Sequence, residues 1–296
     1  MNNYYRIWDA NLGQKAGFSA YLVRVLGQLH RLNESFNLEE IKDKIWIDWV
    51  QWSDVSGWNY NYHEGDLLPQ KNSWDYYFEN KVDSDYAIKS INENLDNWYS
   101  TDGSYHGYPP PQNFLWGDNN LVSKMGFFCE NFLVPKKEIL NELKNEVLNH
   151  KTLGAHCRRS DLHWAHGNLQ LSFSEEDYFR NVMKVFEHGK FEKIYLSTEE
   201  ISIYNYFMER VPEIIISYPD FYRVIQTESP VFNLHKNVRP LHKYLTGKEI
   251  LIEILNLSRC HSLVCYISGV SAMATYYNNC KFDKIYYHNN LSQNIL

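Results

Sequence analysis

From Pro135 onward, short apolar runs and amphipathic stretches alternate in a way that few folds can accommodate. Pro135 opens a predicted helix whose Ile139, Leu140, Leu143 and Val147 share one face. A small-and-apolar run over 152–158 reads as a strand. Ser174 followed by Asp177 is a helix N-cap, and the stripe Phe179, Val182, Met183 and Phe186 continues that helix until Gly189. Further strands are predicted at 193–196, at 213–217 as a fully buried run around Ile214, Ile215 and Ile216, at 261–267 and at 284–287. Helices are predicted at 201–211, 248–257 and 270–277. Strands that regularly alternate with helices imply an α/β fold with a parallel sheet covered on both faces.

The first 131 residues are less regular, and they read as rich in loops. An N-terminal strand, a helix over 18–32 and a strand over 44–50 are the clear elements. The change in texture divides the chain into an expected domain over 1–135 and a second over 136–296, with the boundary near 132–150. With 29 Lys+Arg against 36 Asp+Glu, the net charge of −7 argues against nonspecific nucleic-acid binding, which needs a basic surface. No apolar run is long enough to span a bilayer, and the first residues lack the pattern of a signal peptide. A cytoplasmic protein is expected, working at the inner membrane face if its product is a surface glycan. Cys129, Cys157, Cys260, Cys265 and Cys280 match neither a zinc framework nor a disulfide scaffold and read as reduced core thiols.

Ligands of open α/β sheets bind at the carboxyl ends of the strands. After the first strand of the second half stands His156-Cys157-Arg158-Arg159-Ser160-Asp161, with His156 and Arg158 on one side by alternation. Two guanidiniums there can clamp a diphosphate, and a surface salt-bridge cluster with Asp161 is the plainer alternative. Ser197-Thr198-Glu199-Glu200 follows the next strand and serves equally as a helix N-cap with acids on the dipole. Ser268-Gly269-Val270-Ser271 is a small-residue turn into a helix, where backbone N–H groups can meet a phosphate.

These three corners together resemble the fucosyltransferase superfamily of GT-B glycosyltransferases, in particular the α1,6-fucosyltransferases and the nodulation-factor fucosyltransferase. Residues 153–161 are similar to the family's first motif, a strand ending His-x-Arg-Arg-x-Asp. Residues 193–200 are similar to its second, a strand ending Ala-Thr-Asp-Asp, and residues 251–268 to its third, a helix bearing an acid, then a strand, then Ser. The resemblance implies a GT-B fold of two Rossmann-like halves facing a cleft, the second binding a GDP-sugar. It implies that Arg158 holds the β-phosphate with support from Arg159, and that His156 lines the nucleotide site. Glu253 would read the guanine edge, Ser268 and Gly269 would contact the pyrophosphate with Ser271 in the same turn, and Tyr178, Thr198 and Glu199 would complete the donor site.

The implied activity is inverting, metal-independent transfer of fucose from GDP-fucose to a glycan hydroxyl, with no cofactor. Another GDP-sugar, such as a heptose or mannose derivative, and a non-catalytic glycan or nucleotide module are the alternatives. Where the α1,6 enzymes carry Lys after the motif's Asp, this chain has Leu162, and His166 replaces a candidate acid. The candidate bases are therefore His166, His163 and Asp161, in that order, because imidazole titrates near neutrality. Asp83-Ser84-Asp85 spells a metal-binding DxD, yet acid-rich loops produce that spelling by chance, and no metal is expected. Asp48, Glu64, Asp66 and the neighbouring tryptophans are acceptor-side candidates, and Gly13-Gln14-Lys15-Ala16-Gly17-Phe18 is either a donor-facing loop or a helix entry. The nine Trp are concentrated in the first half, where the aromatics are expected to line an acceptor cleft and stack on sugar rings, with only part of them in the core.

Overall fold

The structure, a computed structural model, describes residues 4–8, 18–49, 72–93, 95, 97–101, 119–158, 173–225, 239–266 and 268–287. The chain forms two compact units, Met1–Glu142 with Arg239–Leu251, and Leu143–Val238 with Ile252–Leu296.

The first unit is built on three parallel strands, β1 (Tyr4–Ile7), β2 (Ile45–Ile47) and β3 (Trp98–Ser100), in the order β2-β1-β3. Helix α1 (Phe18–Ser35) buries Phe18, Leu22, Val25, Leu26, Leu29 and Leu32, the stripe that its spacing predicts, and its Phe18 meets Trp49 edge-to-face. Helix α2 (Ser84–Glu93) lies on the other face, with Ala87 beside Trp46 and Trp98. It begins at Asp83, whose carboxylate accepts the Tyr86 N–H at 2.8 Å, so one acid of the DxD spelling is a helix cap. Ser84 accepts the Trp46 indole N–H at 2.9 Å in the interior. Helices α2 and α3 (Asn119–Phe132) fall where the sequence suggested loops.

Three of the tryptophans belong to the part of the aromatics that is core. Trp46, Trp49 and Trp74 are buried, and Trp74 stacks on Phe78 with ring centroids 4.2 Å apart. The indoles fill core volume here; the Trp46 N–H finds a partner in Ser84, whereas that of Trp74 has none among the described residues.

The second unit carries five parallel strands, β4 (Thr152–Cys157), β5 (Lys193–Thr198), β6 (Ile215–Ile216), β7 (Ser262–Cys265) and β8 (Ile285–Tyr287), in the order β6-β5-β4-β7-β8. Counted within the unit this order is 3-2-1-4-5, that of a doubly wound nucleotide-binding sheet. Leu153, Ala155 and Cys157 point into a core with Tyr178 and Val182 of α4 (Glu175–His188) and Phe207 of α5 (Ile201–Arg210). Ser174 and Asp177 form the capping box of α4, and Gly189 ends it. On the other face, the end of α6 (His242–Ser258), the turn after it and β7 crowd β4, so that a Cβ on Gly154 would lie 3.1 Å from Leu263 and 3.2 Å from Cys260 and Leu257. Gly154→Val is expected to lower stability by about 1–3 kcal/mol through overpacking. Chemical denaturation followed by circular dichroism measures this, and an unchanged midpoint would show that α6 yields freely.

Three expectations for elements are corrected. The predicted strand over 213–217 contracts to Ile215–Ile216, because Pro212–Ile214 form a 3-10 turn and β6 is an edge strand paired only with β5. The helix expected after Pro135 breaks into Lys137–Leu140 and Glu146–Asn149, and the Lys144 amide goes instead to the Asn256 side chain at 3.0 Å. Helix α6 starts at His242 rather than 248, with Gly247 packed where a Cβ would meet the Tyr77 ring. Cys129, Cys157, Cys260 and Cys265 are buried free thiols, while Cys280 is exposed. Among the described residues no helix is long and apolar enough to cross a membrane.

Candidate functional site

The strand order of the second unit reverses at β4. Strands β5 and β6 extend the sheet to one side and β7 and β8 to the other, so a crevice opens between the carboxyl ends of β4 and β7, where doubly wound sheets bind their ligands. His156 stands there. Its Nδ1 hydrogen-bonds Ser197 Oγ at 3.1 Å, and its Nε2 hydrogen-bonds Ser268 Oγ at 3.1 Å. The imidazole thus ties the end of β5 to the start of α7 (Gly269–Asn278) across the switch point. It is 1% exposed. Burial, followed by the positive charge of Arg158, lowers its pKa to about 3, so the ring is neutral at neutral pH, with one nitrogen donating and the other accepting. From the sequence, Ser197 reads only as part of a helix-capping corner, not as a partner of His156. Its signal was the parallel register, which sets it opposite His156.

Ser268 is the N-cap of α7. Its hydroxyl accepts the Ser271 N–H at 3.1 Å, while the Ser271 hydroxyl accepts the Ser268 N–H at 3.0 Å and donates to the Tyr266 carbonyl at 2.6 Å. The Ser271 side chain is fully buried and occupied in holding the turn. Gly269 is half-buried at the first helical position. Helix geometry leaves the amides of Gly269 and Val270 without intrahelical acceptors, and the dipole makes this end positive. Arg158 follows directly after β4, half-buried, on the side of the strand that carries His156. The edge therefore combines a guanidinium, a helix N-terminus and a neutral imidazole brace, with the chemistry to hold a diphosphate.

The remaining candidates divide. Thr198 is buried at the end of β5, where its hydroxyl accepts the Glu200 N–H at 3.2 Å. Glu199 is half-buried, and its carbonyl accepts the Val224 N–H at 2.7 Å, so the segment after β6 braces this corner. Glu253 is buried on α6 on the same sheet face as His156, where its charge adds to burial in raising the Tyr195 hydroxyl pKa. The structure does not bring Tyr178 to the edge. It is fully buried in the core, 6.0 Å between centroids from both Phe173 and Phe207. Arg159, Asp161, His163 and His166 lie outside the described residues, as do Glu64, Asp66 and residues 13–17. Among the described residues no cluster of His, Cys, Asp or Glu could hold a metal ion.

No family model matches the chain, and no curated protein matches it in sequence. Among solved structures it is similar to a NodZ alpha-1,6-fucosyltransferase co-crystallized with GDP, at 12% identity over 93% of this chain and 92% of that one, with a TM-score of 0.49. Fucosyltransferase NodZ from Bradyrhizobium matches at 13% identity over 93% of this chain and 92% of that one, also with a TM-score of 0.49. A NodZ alpha-1,6-fucosyltransferase soaked with GDP-fucose matches at 13% identity over 94% and 92%, with a TM-score of 0.45.

Proposed function

We propose that the chain is an inverting glycosyltransferase that moves fucose from GDP-fucose to a hydroxyl of a glycan acceptor, in the synthesis of a surface polysaccharide or glycoconjugate. The observation that carries this reading is the bridge from Ser197 through His156 to Ser268, which holds the α7 N-terminus at the switch point of a 3-2-1-4-5 sheet, where Arg158 follows the end of β4. The motif resemblance supplies the nucleotide and the sugar.

In this mechanism the donor pyrophosphate lies over the α7 N-terminus, with the Gly269 amide and Ser268 at one phosphate. Arg158 meets the β-phosphate and offsets the charge that builds on departing GDP, a task that a metal performs in other transferases. The acceptor hydroxyl attacks the anomeric carbon from the opposite face. His166, His163 or Asp161 takes its proton, and bond making and breaking on opposite faces invert the configuration. His156 is a brace rather than a base, since a ring that protonates only near pH 3 takes up no proton at neutral pH. Glu253 pairs with the N1–H and N2 amino group of guanine, two adjacent donors that uracil does not offer.

A calorimetric titration with GDP and with UDP tests this. Wild type is expected to favour GDP by at least about tenfold, and Glu253→Gln to lose most of that preference, because a charge-assisted pair is worth about 1.5–3 kcal/mol. Equal binding of both nucleotides by wild type would remove the guanine role of Glu253. A screen of GDP-sugars for GDP release, with and without glycans, then separates fucose from heptose or mannose derivatives. GDP binding without release from any donor would make the chain a binding module.

A further inference from the structure

The two edges of the first unit's sheet differ. At the β2 edge, Ile45, Trp46 and Ile47 are all buried. The Asn80 side chain accepts the Ile47 N–H at 3.2 Å and the Asn72 side chain donates to the Ile47 carbonyl at 2.6 Å, so two amides stand where a further strand would pair. At the β3 edge the ladder to β1 uses alternate residues. The Tyr4 N–H donates to the Asn97 carbonyl at 3.2 Å and the Thr101 N–H to the Arg6 carbonyl at 3.1 Å, with Tyr99 opposite Tyr5 between them. Parallel pairing therefore turns the N–H and C=O of Trp98 and Ser100 outward. Among the described residues no hydrogen bond meets these backbone groups.

The strand is exposed as well as open. Tyr99 is 44% exposed, although Phe36 meets its ring edge-to-face at 5.1 Å, and Ser100 is exposed beside it. Leu95, ahead of the strand, is 62% exposed, and Tyr86, which meets Trp98 through the Tyr4 ring between them, is 41% exposed. Sheet edges are ordinarily blunted by lysine, proline or a bulge. Residues 97–101 contain neither lysine nor proline, and the register with β1 is regular. The outward groups are also symmetric about Tyr99. Antiparallel pairing with an identical strand sets Trp98 of one copy opposite Ser100 of the other, each such pair exchanging two hydrogen bonds, and brings the two Tyr99 side chains together at the axis. The strand carries no charge to set one copy against the other. We propose that β3 is the interface of a two-fold dimer, in which an antiparallel pair of β3 strands joins the two sheets into one. Strands this short bury less than a permanent dimer does, so the association is reversible, with a dissociation constant of roughly 1–100 µM. It does not depend on the glycosyltransferase reading.

Sedimentation of the full chain between about 1 and 300 µM tests this, and the average mass should rise from that of one chain toward that of two. Ser100→Pro removes an outward N–H and no bond to β1, a position that proline tolerates at a strand edge. Tyr99→Lys sets two ammonium groups against each other at the axis. Each variant should keep the wild-type circular dichroism and weaken the dimer by at least about tenfold. If Ser100→Pro fails to fold, Tyr99→Lys carries the test. Tyr99→Cys, made with Cys280→Ser to remove the exposed native thiol, locates the contact directly. Its two thiols face each other in a non-hydrogen-bonded pair, and glutathione disulfide should oxidise them to an interchain disulfide while being reduced to two thiols itself. A wild-type chain that stays monomeric up to about 300 µM overturns the proposal and leaves the edge to a strand of another protein. A dimer of undiminished strength in the folded variants, or no disulfide from Tyr99→Cys, overturns it too and puts the contact elsewhere.

Discussion

Alanine at position 158 is expected to lower GDP release from the donor by about 10²–10³-fold, the size of losing one well-placed charge donor in a transition state. The guanidinium lies just past the last paired residue of β4, so its removal breaks no ladder hydrogen bond and leaves the core below it intact. Thermal unfolding should therefore stay close to wild type. Arg158→Lys restores the charge without the planar fork and should recover only part of the rate. Because charge on the leaving group grows during bond cleavage, kcat should fall more than donor affinity. A folded Arg158→Ala enzyme with wild-type turnover would remove Arg158 from the mechanism.

The second large effect is on stability and follows from His156. Its pKa is about 3 in the folded chain against 6.5 for a free imidazole. Above pH 6.5 both states are neutral and the contribution of the ring is fully present. Between pH 6.5 and about 3 the unfolded chain takes up a proton that the folded chain refuses, so stability falls by about 1.4 kcal/mol for each pH unit. Wild type should thus lose about 2 kcal/mol between pH 7 and pH 5 that His156→Gln does not lose, because the amide can bridge two serines without titrating. Urea titrations of both proteins at the two pH values measure the difference, and parallel losses would mean that the ring is open to water. His156→Leu fills the space but strands the Ser197 hydroxyl and half of the Ser268 pairing, at a cost of about 1–3 kcal/mol at any pH.

Much of the second unit was legible in the sequence because its signals are local. The Ser174–Asp177 box, the stop at Gly189 and the small-residue turn at Ser268 each act through backbone groups a few residues away, and the structure contains all three. The first unit was harder. Helices α2 and α3 lie in a half whose scattered Asn, Asp, Gly and Tyr read as loop, and Asp83, which spells part of a DxD, caps α2. The tryptophans were ambiguous because an indole has the same chemistry in a core as under a sugar. Only packing distinguishes buried Trp74 from Trp8, which is half-buried at the strand ends.

The candidate site divides along the same line. Strand alternation puts His156 and Arg158 on one side, and the turn after β7 marks a helix N-terminus, so the sequence by itself determined which residue types reach the sheet edge and in what order. It could not determine that the two nitrogens of His156 are both engaged, that Ser271 is consumed by its own turn, or that Tyr178 belongs to the core. Nor could it pair Asp48 with Arg6. These outcomes depend on contacts between residues 41, 112 and 42 positions apart, for His156 with Ser197, His156 with Ser268 and Arg6 with Asp48. Hydrogen bonds, burial and ion pairing at such separations exist only once the strands have taken their register. The tertiary structure therefore decided which polar groups are braces and which remain for a ligand.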